Sequence, residues 1–463
     1  MMFKIAFRSI FRNYRRSLTT MLTIAVGTAA MLVFAAYALY DVYVLQTTAV
    51  ERGGHLTVYS KGFFDFGSGD PAIWGIAAYE NVARLIRDDP VLKPMTAVVT
   101  PVQFLGGVAE NPENGGSRTF FATGFVPADQ TAMQEWNEYD IGARLENTGL
   151  HNNDPTRGVI GLGFARNLGL CESLHLADCP KPPVDMPVHE KPAEIASLPR
   201  QDFSGLSERG AAFQPAAPRI ELLAATAGGA PNIVTMQIDR VERQGAKEMD
   251  DGYVVMNLQL AQQLVYGRGE HKVTGIILQL HRSEDIPAAR ARLNTLFAAH
   301  RLKLEVRDYQ EINTYYGQSL SFFQSMFSFI AIIIGVVVLF TVSNTMGMSV
   351  MERTEEIGTT RALGVRRGKI RAQFLLEGAM VGLMGATLGV GLAFLAAAAI
   401  NSSGLTWTPP GDAHPIPLKL YMAGAAGTII GVWIVLTLVS TAAAFFPANR
   451  AARLPIVDAL RHV

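Results

Sequence analysis

Cysteine, charge and catalytic motifs are all scarce in this chain of 463 residues. Two cysteines are too few to staple a chain of this length, which excludes a disulfide scaffold. Charged residues make up 17% and hydrophobic residues 49%, which excludes a disordered chain and a purely soluble enzyme. The sequence contains no Gly-x4-Gly-Lys-[Ser/Thr] phosphate loop, no His-Glu-x-x-His and no Gly-x-Ser-x-Gly. We therefore expect a non-catalytic chain that binds no metal and no cofactor, with any ATPase supplied by another chain.

The missing charge is confined to four windows without Asp, Glu, Lys or Arg. They cover 128 residues, and the other 335 carry all 80 charges, about 24%, an ordinary value for a globular protein. The windows are Ser17–Tyr40, Ile312–Met351, Gly378–Gly411 and Leu420–Asn449. The composition is therefore an average of a membrane-embedded part and a water-exposed part.

Each window holds the roughly 20 apolar residues that a helix needs to cross a bilayer. We predict membrane-spanning helices over Leu18–Tyr40, Leu320–Met348, Gly378–Ile400 and Leu420–Phe446. The first span follows a basic leader, as a signal peptide does, but its apolar run exceeds the roughly 7 to 15 residues of a signal peptide. We therefore predict an uncleaved anchor.

Basic residues are concentrated on one side of these spans. The leader contributes five, the 351–377 loop six and the tail three, whereas the 401–419 connection has only Lys419. We expect both termini and the 351–377 loop in the cytoplasm, one large domain outside, and a location in the inner (plasma) membrane. In residues 1–16, aromatic and basic residues recur at helical spacing, which favours an amphipathic helix on membrane lipids over a solvated basic tail.

The second span is longer than a bilayer requires. Asp308 and Glu311 have the spacing of an N-terminal capping pair, and no proline lies between Tyr309 and Met351. One helix over this stretch would be about 64 Å long. The first span continues in the same way to about Val50, so we expect these two helices to form a stalk for the outer domain.

Between the first two spans, short β-like runs alternate with helical ones, which predicts an α+β domain with two subdomains. The strand candidates are His55–Tyr59, Val98–Phe104, Phe120–Phe125, Ile233–Ile238, Tyr253–Asn257 and Thr274–Leu280. The helix candidates are Tyr79–Arg87, Gly163–Leu168, Leu258–Val265 and Ile286–Ala299.

Residues 171–218 are rich in proline and polar residues, which indicates a surface excursion with little regular structure. Cys171 and Cys179 lie at its start. Outside the cytoplasm they can form a disulfide. Free thiols, or a metal held with His175 and His189, are the alternatives, and the composition argues against the helix that the metal spacing would need.

Glycines at four-residue spacing occur in the third and fourth spans and predict close helix packing. They are Gly378, Gly382, Gly385 and Gly389 in the third span and Gly427 and Gly431 in the fourth. No ionisable residue lies in the middle of a span, which argues against a proton- or ion-coupled transporter.

The 351–371 segment interleaves apolar residues with charges of both signs. Its apolar positions are Ile357, Ala362, Leu363 and Ile370, and Gly358 and Gly364 would allow turns. This pattern predicts a short amphipathic helix seated in a groove of a partner protein.

The same segment, Glu352–Gly364, resembles the most characteristic block of the FtsX-like permease family, the membrane subunits of ABC transporters of the MacB and LolC–LolE types. Further similar stretches are Arg8–Arg16, Gly158–Gly169, Val254–Val265, Val273–Leu280, Phe374–Glu377 and Pro447–Arg461. Trp74, Trp136, the cluster Phe63–Phe66 and the excursion depart from the family pattern.

The resemblance implies a permease subunit that transmits ATP-driven motion of a cytoplasmic ABC ATPase to the outer domain. It would release lipoproteins or lipids, or export a periplasmic compound. The alternatives are a non-transport transmitter that regulates a cell-wall hydrolase or senses a peptide, and a receptor or anchor with no ATPase. Expected partners are that ATPase, carrying ATP and Mg²⁺, a second copy or similar permease, membrane lipids and a periplasmic lipoprotein or adaptor, with no nucleic acid. The ATPase-coupling residues would be Glu352, Arg353, Glu356, Ile357, Gly358, Arg361, Ala362, Leu363 and Gly364.

The expected fold is a membrane protein with four transmembrane α-helices and a large α+β extracytoplasmic domain inserted between helices 1 and 2. The segments are 1–16 (surface helix), 17–45 (helix 1 and stalk), 46–308 (outer domain), 309–350 (stalk and helix 2), 351–377 (coupling loop), 378–400 (helix 3), 401–419 (outer loop), 420–446 (helix 4) and 447–463 (tail).

Overall fold

Two units make up the part of the chain that the computed structural model describes, which is residues 14–67, 69–141, 148–176, 179, 218–267, 271–408 and 415–455. The helical unit takes the described residues up to 45, 315–407 and those from 417 on, and the sheet unit takes those of 46–314 and 408–416. The predicted surface helix, most of the excursion with His189, and the end of the tail lie outside the described residues.

The α-helices, in chain order, are α1 Tyr14–Gly53, α2 Tyr79–Asp88, α3 Pro127–Met133, α4 Leu162–Asn167, α5 Lys247–Asp250, α6 Leu258–Tyr266, α7 Ile286–Ala299, α8 Tyr309–Ile312, α9 Thr314–Glu352, α10 Thr354–Ala362, α11 Arg367–Ser402, α12 Ala426–Ala443 and α13 Phe445–Arg453. The strands are β1 Leu56–Ser60, β2 Ile76–Ala77, β3 Thr96–Glu110, β4 Ser117–Phe125, β5 Arg157–Gly161, β6 Arg219–Ala225, β7 Pro231–Glu242, β8 Tyr253–Asn257, β9 Lys272–Val273, β10 Gly275–Leu280, β11 Leu304–Asp308, β12 Thr406–Trp407 and β13 Ile416–Pro417.

The helical unit contains the four apolar stretches of the sequence. Within the described residues, α1, α9, α11 and the 423–453 stretch are long and apolar enough to cross a membrane. Together with the α+β sheet unit, which lies in the chain between α1 and α9, they confirm the predicted fold class. Helix α1 has 40 residues, about 60 Å, so it continues past Val50 as expected.

The second long helix is not continuous from Tyr309, as the sequence suggested. Asp308 and Glu311 do form the predicted capping box, but the helix that they start ends at Ile312. Asn313 has φ −94° and ψ 87°, which is not helical, and α9 begins after it with 39 residues. The single-helix prediction was therefore wrong, and a short kinked turn precedes α9.

The fourth predicted span begins later than Leu420. The Asn401 side chain accepts a hydrogen bond from the Leu420 N–H at 2.8 Å and donates one to its carbonyl oxygen at 3.1 Å. The next residue, Tyr421, donates its N–H to the Ala36 carbonyl at 3.2 Å. These backbone groups bond to other helices, so the α-helix starts only at Ala426.

Nine strands of the sheet unit form one sheet in the order β11-β1-β10-β3-β4-β8-β5-β7-β6. Strand β6 also pairs with β3 at Val108, Ala109 and Glu110, so the last six strands close on themselves. Gly107 permits this closure, because a Cβ there would lie 2.2 Å from the Leu223 carbonyl oxygen of β6. The 15-residue strand β3 therefore belongs to both halves of the unit.

Each half of the sheet unit has its own core, which agrees with the prediction of two subdomains. One core packs α2 and α7 on β1 and β10 and includes Leu56, Ile86, Ile276, Leu278 and Leu293. The other lies inside the closed strands and includes Leu105, Phe120, Ile160, Met236 and Leu264. All the predicted strands and helices of this domain are present within a few residues of their expected ends.

Candidate functional site

Helix α10 is a short helix set off from the membrane-length helix α9. Arg353 separates the two, with φ −113° and ψ 18°, and the Thr354 hydroxyl then donates to the carbonyl oxygens of Val350 (3.1 Å) and Met351 (2.9 Å). The helix ends before Gly364, whose φ of +89° favours glycine. The predicted turn at Gly364 is present, whereas Gly358 lies inside the helix.

One face of α10 is buried against its own unit. Ile357 is 6% exposed and joins a small core shared by the end of α9, α11 and α13. The members of this core are Val350, Ile357, Ile370, Phe374, Ala448 and Ala451. Ile357 and Ile370 therefore pack inward in this chain and fix α10 to the helical unit.

A buried ion pair lies at the junction of α9 and α10. The Arg353 Nη1 atom donates to the two carboxylate oxygens of Glu377 at 3.1 Å and 3.4 Å. Their side chains are 7% and 3% exposed. Because buried charges are costly unless paired, this contact specifies how the junction meets α11.

Two further contacts tie the segment to the ends of other helices. Glu352 accepts a hydrogen bond from Arg16 of α1 at 2.7 Å, in an exposed ion pair. Arg361 donates to the Leu454 carbonyl oxygen at the end of α13. The segment thus contacts α1, α11 and the residue that follows α13.

The opposite face of α10 and its C-terminal end are exposed. Leu363 is 82% exposed, the highest value among the large apolar side chains of the described residues. The other exposed positions are Glu355, Glu356, Thr359, Thr360, Ala362 and Gly364, followed by Arg366, Arg367, Lys369 and Arg371. We call Glu355, Glu356, Thr359, Thr360, Ala362 and Leu363 the exposed face of α10; it combines an apolar tip with acidic and hydroxyl groups.

The glycines of α11 lie at helix contacts, as predicted. A Cβ at Gly378 or Gly382 would lie 2.5 Å or 2.6 Å from side chains of Ala444 and Ser440. At Gly385 and Gly389 it would lie 2.8 Å from Ile24 and 2.4 Å from Thr28 of α1. Helix α11 therefore packs closely on α1 and on the end of α12.

Gly427 and Gly431 of α12 behave differently, because a Cβ at either would meet none of the described residues within 4 Å. Both are exposed in this chain. The prediction that they mediate close packing is wrong for contacts between the described helices.

Cys171 and Cys179 form a disulfide in the structure, with Cα atoms 5.9 Å apart. The sulfurs are thus bonded to each other, and His175 contacts the Glu172 carbonyl oxygen through Nδ1 at 2.9 Å. Among the described residues, no group of three or more His, Cys, Asp or Glu could hold a metal ion.

A buried polar cluster in the sheet unit was not anticipated. His55 is fully buried, Leu280 N–H donates to its Nδ1 at 3.0 Å, and its Nε2 lies 3.3 Å from the Ser283 hydroxyl. Ser283 in turn donates to Glu138 at 2.7 Å and accepts from Gln46 at 2.9 Å. Burial lowers the pKa of His55 to about 3.

This serine–histidine pair is not a nucleophile and base. Because Nδ1 accepts a backbone hydrogen bond, the neutral imidazole carries its proton on Nε2 and donates it toward Ser283. A general base would need a lone pair at that nitrogen. The cluster instead joins the end of α1, at Gln46, to the turn that precedes α7.

Four membrane-length stretches with a large α+β insertion fit a multi-pass membrane protein with a large domain between its first two spans. Residues 313–456 match the family model described as FtsX-like permease C-terminal. This match includes the 352–364 segment and agrees with the family resemblance seen in the sequence.

Curated relatives include proteins named "Macrolide export ATP-binding/permease protein MacB". The one from Burkholderia lata is 35% identical over 144 residues, 31% of this chain and 19% of that protein. The one from Shewanella sp. (strain W3-18-1) is 31% identical over 212 residues, 44% of this chain and 30% of that protein. The alignments thus span less than a third of these relatives' length.

Solved structures give a weaker likeness. The extracellular domain of the noncanonic ABC-type transporter YknZ from Gram-positive bacteria is 10% identical with a TM-score of 0.29, covering 55% of this chain and 100% of that domain. The periplasmic region of MacB from Actinobacillus actinomycetemcomitans is 10% identical with a TM-score of 0.29, covering 57% of this chain and 92% of that region.

Proposed function

We propose that this chain is the permease part of an ATP-driven ABC transporter and that the exposed face of α10 docks on the ATPase. The carrying observation is Leu363, an 82%-exposed leucine at the end of a helix whose other face is fixed in the unit's core. An apolar side chain on a rigid short helix is the usual anchor of a helix-in-groove contact. ATP and Mg²⁺ bind to the ATPase in this proposal.

The mechanism is mechanical transmission. Nucleotide-driven movement of the ATPase shifts α10, and the membrane-length helices α9 and α11, which meet α10 at the Arg353–Glu377 contact, move with it. Helix α1 is continuous from Tyr14 to Gly53, and in this proposal it transmits movement along its length. The apolar helices carry no ionisable residue mid-span, which favours movement of the outer domain over an ion-coupled pathway.

For the cargo, we propose efflux of a periplasmic compound first and release of lipoproteins or lipids second; the word export in the relatives' name supports this order. The basic leader, coupling loop and tail favour the inner membrane, with both termini and α10 in the cytoplasm. We propose a dimer with a second copy or a similar permease, and a periplasmic lipoprotein or adaptor as a further partner.

The test compares two leucine variants. Leu363→Asp should abolish co-purification of an ABC ATPase from native membranes, because a carboxylate cannot fill an apolar pocket. Leu405→Asp is the matched control, since Leu405 is 54% exposed in the connection that follows α11. Failure of any ABC ATPase to co-purify with the unmodified chain, or equal recovery with Leu363→Asp, would contradict the proposal.

A further inference from the structure

Arg353 lies at the point where the chain leaves a membrane-length helix and enters α10. It is the single residue between the end of α9 at Glu352 and the start of α10 at Thr354. A non-helical residue between two helices leaves their relative direction to be set by side-chain contacts. Arg353 is thus the covalent link between α10 and α9, beside the Thr354 hydrogen bonds and the packing of Ile357 on Val350.

Sequence motifs placed Arg353 among the residues that contact an ATPase, and its burial argues against that role. Its side chain is 7% exposed, and its guanidinium contacts the Glu377 carboxylate, 24 residues further on in α11. Leu363 of the same segment is 82% exposed. The segment thus divides into a surface that a partner can reach and an anchor that it cannot.

The surroundings of the pair are rigid. Val350 and Phe374, each three residues from one member of the pair, are 5% and 2% exposed and belong to the core that also holds Ile357. On the opposite side of the junction, Glu352 pairs with Arg16, but both side chains are about 40% exposed, at 41% and 37%. An exposed pair contributes little, so the buried pair specifies the geometry.

We infer that Arg353 and Glu377 are a positioning pair that fixes the direction of α10 relative to α11, so that a push on α10 moves α9 and α11 as one body. Neither residue touches the ATPase in this assignment. The geometric part of the inference, that the pair fixes the direction of α10, stands on the contacts alone. The transmission part, that movement of α10 is passed to α9 and α11, rests on the proposed function.

The geometric part is tested by a distance measurement on the full chain. Spin labels are placed at Thr360→Cys on α10 and Ala372→Cys on α11, both exposed positions, and distances are read by pulsed electron paramagnetic resonance in lipid nanodiscs. The chain without these two substitutions measures background labelling at Cys171 and Cys179. We expect one narrow distance distribution in the otherwise unmodified chain; a broad one would overturn the inference.

Two double variants separate positioning from folding. Arg353→Met with Glu377→Leu removes both charges together and leaves no unpaired charge behind, so it should fold with an unchanged melting temperature. We expect its distance distribution to become at least twice as broad. The swap Arg353→Glu with Glu377→Arg should restore a narrow distribution. A folded neutral variant as narrow as the parent, or a folded swap as broad as the neutral variant, would contradict the inference.

The transmission part uses the same labels with ATPase present. Two distances are measured in the parent after addition of ATP with vanadate. One joins labels at Met348→Cys on α9 and Ala372→Cys on α11, and the other joins labels at Thr360→Cys on α10 and Leu405→Cys in the connection after α11. The α9–α11 distance should change less than the α10–Leu405 distance. In the neutral variant the two movements should become equal. If no ATPase binds the parent, the proposed function fails while the nucleotide-free distances still decide the geometry; if ATPase binds and both chains respond alike, only the inference fails.

Discussion

The sheet unit and the helical unit bury polar groups for different purposes. In the sheet unit, Asp250 accepts the N–H groups of Leu162 and Gly163 and so caps α4, and His55 connects β1 with the turn at Ser283. These groups provide hydrogen-bond partners for polar groups of their own unit and so stabilise its fold. In the helical unit, the side chains of Arg353 and Glu377 join the α9–α10 junction to α11.

The difference teaches where function is to be sought in each unit. A polar group that satisfies backbone donors in its own domain stabilises that domain, so its removal lowers the free energy of unfolding. A buried pair between two elements that already have complete hydrogen bonding specifies their orientation. The comparison therefore predicts effects on stability in one unit and on geometry in the other.

Removing one member of the ion pair should give the largest effect. Glu377→Ala leaves Arg353 buried without its carboxylate, which should lower the free energy of unfolding by about 3 to 5 kcal/mol. Denaturation of the full chain in detergent micelles measures this. The double change Arg353→Met with Glu377→Leu is the control and should cost less than about 1 kcal/mol. Equal losses of unfolding free energy in Glu377→Ala and in the double variant would mean that the buried charges themselves stabilise the site. That result would contradict the proposed difference between the two units.

The second largest difference in unfolding free energy is expected between the glycine motifs of α11 and α12. In Gly389→Leu, the new Cβ would lie 2.4 Å from Thr28 and 2.6 Å from the Ala25 carbonyl oxygen, so overpacking should cost about 1 to 3 kcal/mol. Gly427→Leu makes the same chemical change where nothing lies within 4 Å, and it should stay within about 0.5 kcal/mol. Unfolding in micelles compares the two. A similar loss at Gly427 would reveal a contact outside this chain.

The buried histidine should give the sheet unit a pH dependence. His55 stays neutral in the folded protein because its pKa is about 3, whereas the unfolded chain takes up a proton below about pH 6.5. Stability should therefore fall as the pH drops below 6.5, by about 2 kcal/mol at pH 5. Hydrogen–deuterium exchange of β1 and β10, corrected for intrinsic rates, reports this unit alone.

The matched variants for this prediction are His55→Gln and His281→Gln. Glutamine at 55 keeps a donor and an acceptor but does not titrate, so the loss between pH 6.5 and 5 should disappear, while the exposed His281 should leave it unchanged. Asp89 affects stability in a different pH range. The hydrogen bond from Arg292 lowers the pKa of Asp89, so its contribution to folding stability is lost only below about pH 4. A pH response that survives in His55→Gln would refute the assignment.

The sequence predicts several elements of the sheet unit where burial leaves a pattern, but β5 and β6 were missed although four and three of their residues are buried. Tyr253–Asn257 and Ile286–Ala299 have the bounds that the apolar periodicity indicated. Strand β11 was missed because three of its five residues, Glu305, Arg307 and Asp308, are charged and all five are only half-buried. It lies at the end of the sheet next to β1, where no apolar alternation is required.

In the helical unit the sequence predicts length but not contact. An apolar run is recognised in the sequence whichever face of the helix packs against protein, because lipid contacts the remaining faces. The glycines of α11 and α12 therefore look alike in sequence, although only the first set meets neighbouring helices. The break at Asn313 was missed for a related reason: asparagine is an ordinary residue within a helix, and no proline or glycine marks the position.

The candidate site was predicted as a stretch, and the structure divides it by face. The charges and apolar residues of 352–364 indicate an amphipathic helix, but the sequence cannot show that Ile357 packs inward while Leu363 points out. Arg353 was grouped with surface residues because its partner, Glu377, lies in another helix. Only tertiary contact distinguishes an anchor from a docking residue here.

The most direct test of the central claim is photo-crosslinking at position 363. A benzoylphenylalanine at Leu363, in cells that make the full chain, should form an adduct with an ABC ATPase that mass spectrometry identifies, and the same probe at Leu405 should not. This outcome is expected because Leu363 is the exposed apolar tip of α10. Adducts at 405 with none at 363, or at 363 only with lipids or other membrane proteins, would contradict a docking role for this helix.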